Sequence, residues 1–222
     1  MLRKLVLGVA FAALAAAPAV AQNGSFRVGP RLGYVKYAEK TGIEAGAMVG
    51  LDGLYYISSN LGIGFTLDVS RPQTDSSFFP AEMSFGDTTF IFGVSQPLTI
   101  AQFGLQAEFS AGGSIAPFIM GGVNGYRVSL DPQVAAGPAN FVELGFSVGG
   151  GVAFRTSAGT QIRLEARDFV FTDFDRSRLN VVRAAFQPTR FPDVLPVPDP
   201  FSGSAHNIHV ALSFSFTPGG SQ

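Results

Sequence analysis

Residues Asn207 to Phe216 read Asn-Ile-His-Val-Ala-Leu-Ser-Phe-Ser-Phe. Ile208, Val210, Leu212, Phe214 and Phe216 form an apolar row, and Asn207, His209, Ala211, Ser213 and Ser215 a small or polar one. Side chains alternate across a strand, so this period of two describes one strand with a greasy face and a polar face. Thr217-Pro218-Gly219-Gly220 ends it, because neither Pro nor paired Gly continues a strand. The same alternation recurs over Phe26–Tyr34, Ala45–Tyr55, Leu61–Ser70, Phe103–Ser110, Val142–Arg155 and Gln161–Arg167. Ala116 to Leu130 is the least regular run; here Phe118, Met120 and Tyr126 are placed outward and Arg127 inward. That makes eight strands, each near the ~9–11 residues a tilted membrane strand needs. Leu98 and Ile100 blur the start of the fourth, and Phe90-Ile91-Phe92 could extend it as a hairpin above the membrane.

A soluble sandwich would alternate in the same way. What separates the two is the polar face, which here is packed with Gly, Ala and Ser, with Arg, Asp and Glu set among them. Lys occurs only at 4, 36 and 40, whereas a sheet face in water carries more. A barrel of about eight strands has an interior just wide enough for side chains to fill. Small residues are what that interior needs beside long arginines. The connections alternate too: Ser58-Ser59-Asn60, 111–115 and 156–159 are tight, while 71–97 and 173–205 are long. Outer-membrane barrels place short turns in the periplasm and long loops outside.

Arg3 and Lys4 precede an apolar run from Leu5 to Ala17, followed by Pro18-Ala19-Val20-Ala21. This is the pattern of a secretory signal peptide cleaved after Ala21, with a run too short for a membrane anchor of roughly 20 residues. The organisation expected is a signal peptide at 1–21 and one barrel domain at 22–222. Loss of Arg3 and Lys4 takes the formal charge from −1 to −3, which argues against nucleic acid as a partner. No Cys is present, so neither a disulfide nor a thiolate site is available.

The mature chain resembles the small bacterial outer-membrane β-barrel proteins, the OmpA transmembrane-domain and OmpX-like group. The likeness covers nearly all of Phe26–Phe216 and rests on strand pattern, loop asymmetry and the closing aromatic strand. The family's C-terminal assembly signal falls on His209, Ala211, Phe214 and Phe216, with Ala in place of Gly and six residues beyond the last Phe. The resemblance implies an all-β, eight-stranded antiparallel transmembrane barrel with up-and-down topology in an outer membrane. Its implied partners are membrane lipid and the barrel-assembly machinery.

Six bases, Arg27, Arg31, Arg127, Arg155, Arg163 and Arg167, and six acids, Glu44, Asp52, Asp68, Glu108, Glu143 and Glu165, are predicted to face the lumen. Buried charges are tolerated only when paired, so these read as a salt-bridge network that plugs the barrel. The alternative is a gated ion path in which the pairs exchange partners. His206 and His209 stand near Asp168, Asp173 and Asp175, and a Ser–His–acid site at the outer leaflet would suit a lipid-modifying hydrolase. No Gly-x-Ser-x-Gly elbow marks a nucleophile, and no catalytic residue is assigned. Asp173-Phe174-Asp175 lacks the Gly and closing Glu of a calcium loop, so no metal or cofactor is expected. Gly149-Gly150-Gly151 lies inside a strand and reads as close packing or a bulge. In the last long loop, Ser177–Phe186 is read as a helical turn, and Pro188, Pro192, Pro196, Pro198 and Pro200 enforce extension. Phe191, Leu195 and Phe201 would fold over the mouth or meet an extracellular partner. The function expected is non-enzymatic: stabilising the envelope or presenting loops, with a narrow channel as runner-up.

Overall fold

The computed structural model describes residues 25–85, 87–93, 95–130, 139–156, 160–179 and 201–216. The expected signal peptide at 1–21, the proline-rich part of the last loop and the tail after Phe216 lie outside them. The described strands are β1 (Phe26–Lys36), β2 (Gly46–Tyr56), β3 (Leu61–Ser70), β4 (Pro80–Phe85), β5 (Thr88–Gly93), β6 (Leu98–Ser110), β7 (Ile115–Leu130), β8 (Ala139–Arg155), β9 (Thr160–Asp175) and β10 (Ser202–Phe216). Eight of them close a barrel in the order β1-β10-β9-β8-β7-β6-β3-β2, every pair antiparallel. This is the up-and-down barrel the alternation predicts. Closure runs from Val28 opposite Phe216 to Lys36 opposite Ile208, so no backbone edge is left to face lipid.

Outward rows such as Leu32, Val49, Leu105, Val148, Leu164 and Leu212 are exposed, while the residues between them are buried. In a soluble protein so many exposed large apolar side chains would aggregate; in a bilayer they are the solvated surface.

The wall is uneven in height. β7 to β10 run for 15 to 17 residues, whereas β1 to β3 run for 10 or 11. The excess lies at the long-loop end, where the tall side overhangs the short side. Loop 37–45 and segment 71–79 fill the gap. Glu44 N–H donates to Gln73 O and Asp75 N–H to Gly42 O, while Leu98 N–H donates to Pro72 O. Gly42 has φ +67°, a left-handed conformation that ends the short turn Glu39–Thr41, and a Cβ there would meet Phe78, Phe79 and Arg176.

The open start of the fourth barrel strand is resolved, and two strand expectations are corrected. β6 starts at Leu98, with Leu98 and Ile100 buried inward. Phe90-Ile91-Phe92 belongs to β5, which pairs only with β4 as a separate hairpin and does not extend the fourth barrel strand. In β7, Phe118, Met120 and Tyr126 are buried in the lumen and Arg127 is exposed outside, the reverse of the expected register. Directly opposed residues share a face, and Met120 lies opposite Glu108 and Tyr126 opposite Gln102. The inward acid and amide of β6 therefore carry β7's large side chains inward with them.

Candidate functional site

The charges meet in one layer across the lumen. Arg31 comes from β1, Asp52 from β2, Asp68 from β3, Glu108 from β6, and Arg163, Glu165 and Arg167 from β9. Each sits on the inward phase because its neighbours, such as Leu32, Leu67 and Leu164, occupy the lipid phase. Glu165 is the hub. Arg31 Nη2 and Arg167 Nη2 both donate to its Oε1, the latter at 3.1 Å, and Arg163 Nη2 lies 3.8 Å from its Oε2. Arg31 Nη1 also donates to Asp68 Oδ2 at 3.2 Å. Arg163 Nη2 donates to Glu108 Oε2 at 2.5 Å, and the Tyr56 hydroxyl caps the other Glu108 oxygen at 2.6 Å. Arg163 also lies over the Phe118 ring at 4.2 Å. Arg31 is 1% exposed, and the other members are buried with it. Opposed glycine makes the room: a Cβ on Gly50 would sit 2.0 Å from Asp68 Oδ1.

Toward the long-loop end the filling becomes aromatic. His209 stacks on Phe169 at 5.5 Å, Tyr126 on Phe171 at 3.8 Å and Phe171 on Phe174 at 5.8 Å. Asn207 stitches this layer to the wall, donating to Phe169 O and accepting from Ala38 N–H. Arg176 closes the top, with Nη1 on Lys40 O and its guanidinium 4.6 Å over the Phe78 ring. Its backbone N–H donates to Phe201 O, so loops from three sides meet there.

Seven of the predicted lumen residues therefore form one cluster: Arg31, Asp52, Asp68, Glu108, Arg163, Glu165 and Arg167. Arg27 and Arg155 also face inward but lie apart, at the tight-turn end. Glu143 sits at the opposite mouth, 2.8 Å from Arg178 of the last loop. Glu44 and Arg127 are corrections. Glu44 precedes β2 and is exposed on the loop, and Arg127 faces outward, its Nε donating to Asn140 Oδ1. Tyr56 was missed, although its spacing from Met48 and Asp52 keeps the inward phase. The aromatic layer was missed because β9 continues inward as Phe169 and Phe171, beyond the expected end at Arg167.

The histidines separate. His206 is 62% exposed on the outer wall, with Nδ1 2.7 Å from Asp168 Oδ2. His209, on the opposite face of the same strand, is buried in the lumen. Asp175 accepts from the Ser177 N–H and hydroxyl, and no group of metal-binding side chains occurs among the described residues. Phe214 and Phe216 point outward at the base of the closing seam. Gly149-Gly150-Gly151 lies in β8 against β9, and a Cβ on Gly151 would sit 2.0 Å from Leu164 O.

The sequence profile of the outer membrane protein beta-barrel domain matches residues 6–216. The chain belongs to that family. Family membership places it in the outer membrane, as the greasy outer wall requires. Among solved structures, Neisserial surface protein A is similar with a TM-score of 0.55 and 12% identity, covering 88% of this chain and 99% of its own. The N-terminal barrel of Pseudomonas aeruginosa OprF matches with TM-score 0.43 and 9% identity over 87% of this chain and 100% of its own. Ail of Yersinia pestis, in complex with the heparin analogue sucrose octasulfate, matches with TM-score 0.44 and 9% identity over 87% and 97%. At such identities the likeness is one of fold. No curated protein matches the chain.

Proposed function

We propose that this family member is a non-enzymatic, non-conducting barrel that stabilises the outer membrane and presents its long-loop face. The observation that carries the reading is the filled lumen: the buried charge layer and the aromatic layer above it follow one another along the axis. Within the charge layer the arginines are committed to Glu165, Glu108 and Asp68, so these charges are held in structure and not offered to a substrate. On this reading export begins with the signal sequence at 1–21. The assembly machinery engages His209, Phe214 and Phe216, and an extracellular partner would meet the loops.

A narrow channel is the second reading, favoured by the sharing of Glu165 among three arginines, which offers partner exchange. Planar-bilayer recording of refolded protein separates the two. The plug gives no steady conductance, whereas a reproducible open level in wild type would reverse the order. A lipid-turnover assay on the same preparation should stay flat; release of acyl chains would replace the non-enzymatic reading.

A further inference from the structure

At the tight-turn end, below the charge layer, lies a cavity of about 260 Å³ lined by Arg27, Tyr56, Ser58, Arg155, Thr160 and Gln161 among others. Its walls are rich in donors and poor in negative charge. The Arg27 guanidinium lies 4.2 Å over the Tyr56 ring, and no carboxylate is in salt-bridge distance of it among the described residues. Arg155 places Nη2 on the Ser110 hydroxyl at 2.9 Å, and its Nε is buried without a partner. Gln161 is 1% exposed, and neither its amide nitrogen nor its oxygen has a partner. The nearest acid, Glu108, is already spent: Tyr56 holds one oxygen and Arg163 the other.

We infer that this cavity is a binding site for a phosphate-bearing solute or head group offered from the periplasmic side. Two guanidiniums from β1 and β8, three places apart around the wall, approach one space from different directions. Guanidinium edges match phosphate oxygens in charge and in geometry. A phosphate monoester carries about −1.5 to −2 charges at neutral pH and three acceptor oxygens. That matches two cations plus the Gln161 amide and the hydroxyls of Ser58 and Thr160 better than the two oxygens of one carboxylate. The volume exceeds the ~30 Å³ share of a single water several-fold, so there is room for a phosphate with further atoms attached.

The test is calorimetric titration of the refolded barrel in octyl glucoside, which contains no phosphate, with inorganic phosphate, with glycerol 3-phosphate and with acetate. Saturable binding of the two phosphates, stronger than acetate, is expected. Arg27→Gln and Arg155→Gln should each weaken it by about tenfold, the scale of one charge-assisted hydrogen bond. The heat-modified gel shift reports that the variants remain folded. The same titration in vesicles containing phosphatidic acid, whose head group is a phosphate monoester, assigns the source: binding that persists belongs to a soluble phosphate, and binding lost there but present in octyl glucoside and in phosphatidylcholine vesicles belongs to the lipid head group. A second measurement needs no variant: phosphate should protect Arg27 and Arg155, but not the exposed loop residue Arg71, from phenylglyoxal. No saturable heat in octyl glucoside, undiminished binding by the folded double variant, or equal modification with and without phosphate would each overturn the inference.

Discussion

Arg163 on β9 donates to Glu108 on β6 at 2.5 Å, three strands around the wall, and so ties two sides of the barrel through its interior. Both side chains are 1% exposed. Removing one partner strands the other, a loss of roughly 3–5 kcal/mol in a dry site. Glu108→Ala should therefore lower stability by that order in urea unfolding from lipid. Adding Arg163→Met should recover part of it. Wild-type stability in Glu108→Ala would mean that the pair is solvated.

Glu165→Ala should cost at least as much, because Arg31, Arg167 and Arg163 all converge on that carboxylate. If the aromatic layer seals the lumen independently, the variant still does not conduct. Combining Glu165→Ala with Phe171→Ala, which removes the ring stacked on Tyr126, should produce a leak in bilayer recordings. Silence in the double variant would show that the loops alone close the mouth.

Val148 is 57% exposed on the outer face of β8, and its neighbour Ser147 is buried inside. Arg at a lipid-facing midplane position costs roughly 2–4 kcal/mol. Val148→Arg should be destabilised on that scale in bilayers, with Val148→Leu close to wild type. Equal stability of the two would place Val148 away from lipid.

The register of β7 has its own test. With no native Cys, spin labels can be placed singly. A label at Ile119 should show the high oxygen accessibility of lipid, and one at Met120 the low accessibility of the packed lumen. The opposite pattern would reinstate the outward placement of Met120.

Phe214 and Phe216 face lipid where β10 meets both β1 and β9. Truncation before Phe214 should slow folding into vesicles, measured by gel shift against time, while truncation after Phe216 leaves the rate near wild type. The reverse order would move the assembly signal into the tail.

The alternation of Ile208-His209-Val210-Ala211-Leu212 was enough to define a two-faced strand. Eight such runs with alternating connection lengths were enough to define a barrel and its place. Period-two patterning is a local property, so it survives in the chain without knowledge of partners. It also put Arg31, Asp52, Asp68, Glu108, Arg163, Glu165 and Arg167 on inward phases, where the structure buries them. It failed in β7, where both rows hold large apolar residues and Gly121-Gly122 interrupts the count, so that nothing local distinguishes the two registers.

Depth and partnership were decided only in three dimensions. Arg27 and Arg31 share one face of one strand, yet Arg31 reaches Glu165 and Asp68 while Arg27 stacks on Tyr56 at the tight-turn end. Which acid meets which base depends on the inter-strand register that brings β9 beside β10 and β10 beside β1, contacts separated by more than a hundred residues in the Arg31–Glu165 case. The sequence alone determined that charges would be sealed inside a greasy wall, because side-chain alternation sets the face. The tertiary structure decided that they divide into a paired layer and a separate cationic pocket, because stagger between distant strands sets the height of each charge along the axis.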